Sequence, residues 1–317
     1  MALIDYPNRL SLLLLGGVLL IALAYGYFSY QAPLPNTFFT AEGSDYHFPY
    51  RLSQPDQVIE LPNKLREISG LASWSDDEVL CIQDEDGEVF IFNLREEKVT
   101  KDFRFGKDRD YEGIARRDSQ IYVLERDGDL HYFNYDPERS SFDAEKLETS
   151  FSYRNDLEGL CYDPQQAAFL LVPKAQNLHP SSATNHLRDI YRYWPDSSDI
   201  EQEPLYQIDE YALGQLIYGQ RQRFTFRPSS IAIHPQTGQL FLLSAVGESL
   251  LVLNAQGEVE YLELLDRSIF PQPEGLTFTS EGGLIISSEG QSRQAIIATF
   301  QPYNPTSSSL DSLGYHE

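Results

Sequence analysis

Between residues 58 and 300, apolar positions fall into short alternating runs, and no long helical period competes with them. Five of the runs follow one kind of phrase: Glu67-Ile-Ser-Gly-Leu-Ala72, Asp110-Tyr-Glu-Gly-Ile-Ala115, Asp156-Leu-Glu-Gly-Leu-Cys161, Pro228-Ser-Ser-Ile-Ala232 and Gln272-Pro-Glu-Gly-Leu-Thr277. With Gly70, Gly113, Gly159, Ser230 and Gly275 as the equivalent position, the steps are 43, 46, 71 and 45 residues. One four-stranded propeller blade repeats at about 40 to 45 residues, so the period predicts an all-β propeller. The first repeat then runs Val79 to Ile82, the turn Asp86-Gly87, and Val89 to Phe92; the second runs Ile121 to Leu124, Asp127-Gly128, and Leu130 to Phe133. The fifth runs Leu284 to Ser287, Glu289-Gly290, and Ala295 to Phe300. Short runs rich in Ile, Val, Phe and Tyr around such turns read as antiparallel strands.

Outer strands are expected before repeats two to five, at Val99 to Phe105, Lys146 to Tyr153, Leu205 to Ile208 and Val259 to Leu265. Val58 to Leu61 precedes the first repeat with no blade of its own, whereas the last repeat supplies only three strands. Pairing the two closes the ring and removes exposed sheet edges. The long third step leaves roughly 26 residues beyond one blade, too few for a further blade and divisible into two loops. One is Ala175 to Leu187, ahead of a strand at Asp189 to Tyr193; the other is Tyr211 to Phe224, with the makings of a short helix. The expectation is five blades, with six the alternative.

Leu10 to Tyr30 is 21 residues without a charge, long enough to cross a hydrocarbon core of ~30 Å at ~1.5 Å per residue. Arg9 in front of it, and acidic sequence behind, favour an N-terminus inside and a propeller outside. The rival is a cleaved signal peptide ending near Ala22-Leu-Ala24, but Tyr25, Tyr27, Phe28 and Tyr30 continue past that point as an interfacial belt would. The organisation expected is a cytoplasmic stub and anchor over 1–30, a linker over 31–46, a propeller over 47–302 and a disordered tail over 303–317.

The formal net charge is −24. A surface of that sign repels nucleic acid and concentrates cations, which sets aside a nucleic-acid role. Cys81 and Cys161 fall in repeats that are not neighbours in a five-membered ring, so two buried thiols are expected in place of a disulfide. There is no Gly-x-Ser-x-Gly elbow, phosphate-cradling loop or His-Glu-x-x-His, and His179 and His186 lie in a loop without a ligand partner. Trp74 and Trp194 are expected to pack between blades.

The candidate chemistry is in the phrases themselves. In a propeller they place Glu67 and Ser69, Asp110 and Glu112, Asp156 and Glu158, Ser229, and Glu274 around one mouth of the central channel. Strand alternation adds Asp84, Glu85, Asp86, Glu125, Asp127, Lys174, Glu248 and Glu289, an acidic mouth relieved by Arg66, Arg109, Arg126, Lys174 and Arg227. Crowded carboxylates must protonate, pair with a base or hold a cation. A hard ion with oxygen ligands, Ca²⁺ before Mg²⁺, is the guest expected, with Glu112, Glu158, Glu274, Asp110, Asp156 and Glu67 as candidate ligands. The alternative is structural: each glutamate accepts backbone amides of the next blade and clips blade to blade.

At these phrases the chain resembles the SdiA-regulated family, the YjiK/CarP-like bacterial β-propellers. The resemblance rests on Leu61-Pro62 leading into Glu67-Ile-Ser-Gly-Leu-Ala72, on Arg109-Asp-Tyr-Glu-Gly-Ile-Ala115, on Asp156-Leu-Glu-Gly-Leu-Cys-Tyr-Asp163, on Arg227-Pro-Ser-Ser-Ile-Ala-Ile-His234 and on Phe270-Pro-Gln-Pro-Glu-Gly-Leu276. It implies a cell-envelope propeller with a link to calcium and a loose similarity to propeller phytases, without supplying a reaction. The expectation is a non-catalytic propeller held at the bacterial inner membrane by residues 10–30 and facing the periplasm. It would bind Ca²⁺ and present its channel mouth to an envelope protein or small ligand. The other class is a calcium-dependent phosphoesterase or esterase with Glu112 or Glu158 as base, although the mouth offers few cations for a polyphosphate.

Overall fold

A strand with one face toward each neighbouring sheet buries both, and the repeated apolar runs meet that demand by stacking five small sheets around an axis. A computed structural model describes Val18, residues 37–41 and residues 46–303. The first described strands are β1 (Phe38–Thr40) and β2 (Gln57–Glu60), both of which pair with strands near the other end of the sequence. Blade 1 is β3 (Ile68–Ser73), β4 (Glu78–Gln83), β5 (Glu88–Asn93) and β6 (Lys98–Arg104), in that order from the inside. Blade 2 is β7 (Tyr111–Arg117), β8 (Gln120–Glu125), β9 (Leu130–Asn134) and β10 (Glu145–Leu147). Blade 3 is β11 (Leu157–Asp163), β12 (Ala168–Pro173) and β13 (Leu187–Trp194), and its outer edge is shared by β14 (Asp199–Ile200) and β15 (Tyr206–Asp209). Helix α1 (Glu210–Tyr218) leads to blade 4, formed by β16 (Arg227–Ile233), β17 (Leu240–Val246), β18 (Ser249–Leu253) and β19 (Val259–Leu264). Blade 5 is β20 (Gln272–Phe278), β21 (Leu284–Glu289), β22 (Ile296–Phe300) and, on its outside, β2.

The five inner strands β3, β7, β11, β16 and β20 contact one another in sequence, and β20 returns to β3, so the ring is closed. The core is five apolar seams. Alternate inner-strand residues feed the two seams beside each blade: Leu71 packs with Ile285 and Ile297 between blades 5 and 1, while Ala72 packs with Ile114 and Val123 between blades 1 and 2. Cys81 and Cys161 are buried, unbridged, in two different seams, as expected. The predicted five blades, the closing strand at Val58 to Leu61 and the helix within 211–224 are all present. Trp74 meets Tyr135 edge-on at 4.9 Å where blades 1 and 2 join.

Three elements differ from the sequence expectation. Phe38–Thr40, within the expected linker, pairs with β19 and makes blade 4 five-stranded; Phe39 supplies the half-buried face that holds it there. The outer strand expected at Lys146 to Tyr153 stops at Leu147, because Phe151 turns inward against Tyr191 and Asn155 Oδ1 accepts Ser152 N–H at 2.8 Å. The long third repeat carries two short outer strands in place of one. The expected membrane span and C-terminal tail lie outside the described residues, apart from Val18, which is helical, and Tyr303. Among the described residues no helix is long and apolar enough to cross a membrane.

Closing the ring leaves no room at the last seam. A Cβ on Gly275 would lie 2.2 Å from Ser287 Oγ and 2.7 Å from Leu71 Cγ, across the junction of blades 5 and 1. Gly275→Ala is therefore expected to cost about 1–3 kcal/mol by overpacking, read as a lower midpoint in urea unfolding; an unchanged midpoint would show that the seam yields freely.

Candidate functional site

Each inner strand slips register at the same repeat position: between Ile68 and Gly70, Tyr111 and Gly113, Leu157 and Gly159, Pro228 and Ser230, and Pro273 and Gly275. The bulged residues are Ser69, Glu112, Glu158, Ser229 and Glu274. A bulge takes its residue out of the ladder and re-aims it, and five bulges on five innermost strands build one ring of side chains at the channel throat. Glycine follows the bulge in four blades because the inner strands approach closely: a Cβ on Gly70 would meet Gly113 Cα at 3.2 Å, and one on Gly113 would meet Glu158 O at 3.2 Å.

The two residue types in the ring behave differently. Ser69 Oγ donates to Tyr111 O at 2.8 Å and Ser229 Oγ to Pro273 O at 2.7 Å, each across a seam to the next blade. The blade-to-blade clips are thus made by the serines. A carboxylate has no proton to donate, and Glu112, Glu158 and Glu274 find other partners. Glu158, 5% exposed, takes Lys174 Nζ on Oε1, while its Oε2 is buried without a hydrogen-bond partner. Glu274, 6% exposed, accepts Gln272 Nε2 on Oε1 at 3.0 Å. Glu112, partly buried, shares a hydrogen bond with Asp110.

Burial raises the carboxyl pKa of all three above the usual range, and mutual repulsion adds to it: Glu158 acts on both Glu112 and Glu274. Lys174 opposes the rise at Glu158 and Glu274. The ammonium itself is disfavoured by burial, but the charges of Glu158 and Glu274 override this and raise its pKa. Two buried carboxyls, Glu158 and Glu274, therefore share one ammonium, and Glu112 adds a third carboxyl that Glu158 repels.

A second set of groups forms the rim. Asp84 and Glu289 are pushed up to about 6 and about 7, by burial first and then by neighbouring carboxylates: Glu67 and Glu85 for Asp84, Asp84 and Glu67 for Glu289. Asp84 Oδ1 is another buried acceptor without a partner. Of the six sequence-predicted ligands, the structure brings Glu112, Glu158 and Glu274 into the throat and places Glu67 in the rim cluster. Asp110 and Asp156 adjoin the throat but are paired with a base: Arg126 bridges them, with Nη1 at 3.1 Å from Asp110 Oδ2 and Nε on Asp156 Oδ1. Glu125, expected at the mouth, is wholly buried between Arg109 at 2.8 Å and His131 at 2.8 Å. Burial opposes its ionisation, yet those donors and Lys146 hold its pKa below the ordinary value. Among the described residues no three Asp, Glu, His or Cys side chains are arranged to hold one metal ion.

Two features escaped sequence reasoning. The bulge was invisible, since nothing in Glu-Gly-Leu distinguishes a bulged glutamate from one in register. Spacing makes Lys174 one of five bases at the mouth, whereas the structure bonds it directly to Glu158. The opposite end of the channel is unlike the throat, a recess of about 280 Å³ walled by Ala72, Ala115, Cys161, Ala232 and Thr277.

Residues 49–292 match the sequence family described as SdiA-regulated. No curated protein matches the chain. Among solved structures, the chain is similar to Myxococcus xanthus glutaminyl cyclase at 13% identity and a TM-score of 0.52, covering 78% of this chain and 95% of that one. A Bacteroides thetaiotaomicron protein of unknown function aligns at 13% identity and a TM-score of 0.48; the match covers 74% of this chain but spans only 56% of the length of that one. These likenesses concern the fold.

The rim makes a pH prediction. Asp84 and Glu289 bind protons more tightly folded than unfolded, so the stability they contribute is whole below the ordinary carboxylate range and is lost as pH rises through about 6 and about 7. Glu289→Gln removes one of these titrations, and the variant should gain stability relative to the parent between about pH 5 and pH 8. Urea unfolding across that range measures the difference; a difference independent of pH overturns the assignment.

Proposed function

The chain belongs to the SdiA-regulated family, and from that premise we propose that its propeller is a cation-responsive binding module whose receptor is the acidic throat. The observation that carries this reading is Glu158, a buried carboxylate with one oxygen on Lys174 and the other on nothing. Lys174 is in effect a resident cation on Glu158, and with Glu112 and Glu274 on the same ring the throat has capacity for more positive charge. The donors are all oxygen, which suits a hard ion such as Ca²⁺. Glu112, Glu158 and Glu274 would hold it, with the carboxyls giving up their protons and drawing together as it enters. The ion would supply the counter-charge that the protein itself provides only in part.

A binding role is favoured over hydrolysis because Glu158 and Glu274 are buried and Lys174 already occupies Glu158, a candidate base. Residues 10–30 would tether the module to the bacterial inner membrane, with the mouth open to an envelope partner whose affinity follows the state of the throat.

The test is thermal unfolding of the purified full-length chain in Ca²⁺, in Mg²⁺ and in chelator. A ligand at a hundred times its dissociation constant stabilises by ~2.7 kcal/mol, or a rise of about 5–10 °C for a domain of this size. Such a rise is expected with Ca²⁺, larger at pH 8 than at pH 6 because protons and cation compete for the same oxygens. Glu112→Gln combined with Glu158→Gln should abolish it while leaving a folded protein. No response to either ion in the parent would return the glutamates to a purely structural role.

A further inference from the structure

The two insertions of the third repeat meet over a cavity of about 490 Å³ that the throat does not use. One wall is the 175–186 loop, with Ser181, Thr184 and Asn185; the other is the segment after α1, with Arg223, and the start of β16, with Arg227, and Arg188 of β13 forms the base. None of the residues lining it is acidic. In a chain whose net charge is −24, a cavity walled by three guanidinium groups stands apart from the rest of the surface.

The arginines are built in. Arg188, 2% exposed, donates to Phe226 O at 3.1 Å, Leu187 O at 2.7 Å and Asn185 O at 3.2 Å, and to Glu210 Oε2 at 3.1 Å. Arg223 donates to Glu210 Oε2 at 2.6 Å and Asn185 O at 2.7 Å. Glu210 itself is fully buried, capped by Phe226 N–H at 2.9 Å on Oε1. Arg227 comes third to this single carboxylate: its Nη1 stands 3.6 Å from Glu210 Oε1, beyond hydrogen-bond reach, and is buried without a hydrogen-bond partner. One carboxylate facing three guanidinium groups leaves two positive charges unmatched and one buried donor unused. Burial disfavours the charged form of Arg227, as expected of a guanidinium short of a counter-ion.

We propose that this cavity is a binding site for a small polar molecule carrying an oxyanion, a carboxylate or a phosphate monoester, held by Arg227 with Arg188 and Arg223. A guanidinium fork matches the planar edge of either anion, and the hydroxyl and amide groups of Ser181, Thr184 and Asn185 suit a hydroxylated body. The volume is that of a small-molecule pocket. The site is independent of the cation reading of the throat, although Ala175 on its wall follows Lys174 directly in the chain.

The experiment is titration calorimetry of the full chain with inorganic phosphate and, separately, with succinate, against chloride at equal ionic strength. Saturable binding of one or both is expected, and the stronger of the two identifies the anion class. Arg227→Gln leaves Glu210 paired with Arg188 and Arg223 and should weaken that binding at least about tenfold; Arg223→Gln, on the more exposed side, is the second variant should the first fail to fold. The Glu112→Gln, Glu158→Gln protein should bind the anion unchanged, which separates this site from the throat. Absence of saturable binding by the parent, or equal binding by a folded arginine variant, overturns the proposal.

Discussion

Everything in this molecule depends on the pairing of β2 with β22. Four residues near the start of the described chain, Gln57 to Glu60, align antiparallel with Thr299 to Ile296 and supply the fourth strand of a blade whose other three come from the end. The pairing is long-range, so its loop-closure entropy is set by nearly the whole propeller. The seam it completes, with Ile59, Leu61, Ile68 and Leu71 against Ile285 and Ile297, must offset that cost by apolar burial. Without it the inner strands would not form a ring, and the bulged residues would not face one another. β1 repeats the device on blade 4, covering the edge of β19.

A closed ring of five identical backbone positions forces a choice of side chain at each. Hydroxyls at 69 and 229 donate to the next blade and satisfy a buried carbonyl locally. Carboxyls at 112, 158 and 274 cannot do so when ionised, and their proximity raises the free energy of the charged state. The ring is therefore part fastener and part charge store, and Lys174 is the built-in relief. Other charges are paired within the protein: Glu125 between Arg109 and His131, and Asp110 with Asp156 around Arg126. The throat and the Glu210 arginine cluster are where that pairing is incomplete, in opposite senses, and that is why they hold the functional interest.

Much of this was legible because it is local or periodic. The phrase at Gly70, Gly113, Gly159, Ser230 and Gly275, followed by paired apolar runs, marked five blades, and the surplus strand at Val58 marked the closure. The same periodicity put Glu112, Glu158 and Glu274 on one ring. Legibility ended where a side chain's partner came from another blade or from an insertion. Asp110 and Asp156 looked like their glutamate neighbours but are bridged by Arg126. Glu210, Arg188 and Arg223 lie in three different elements with no motif among them.

What the sequence determined by itself was the repeat, hence the strand pattern within a blade, a ring of five or six blades and the acidic character of one channel mouth, since each follows from alternation and spacing along the chain. Only the tertiary structure decided which carboxyls are paired and which are left wanting. That outcome depends on one-residue bulges that re-aim side chains and on close approach across seams, and both are set by packing between segments far apart in the chain.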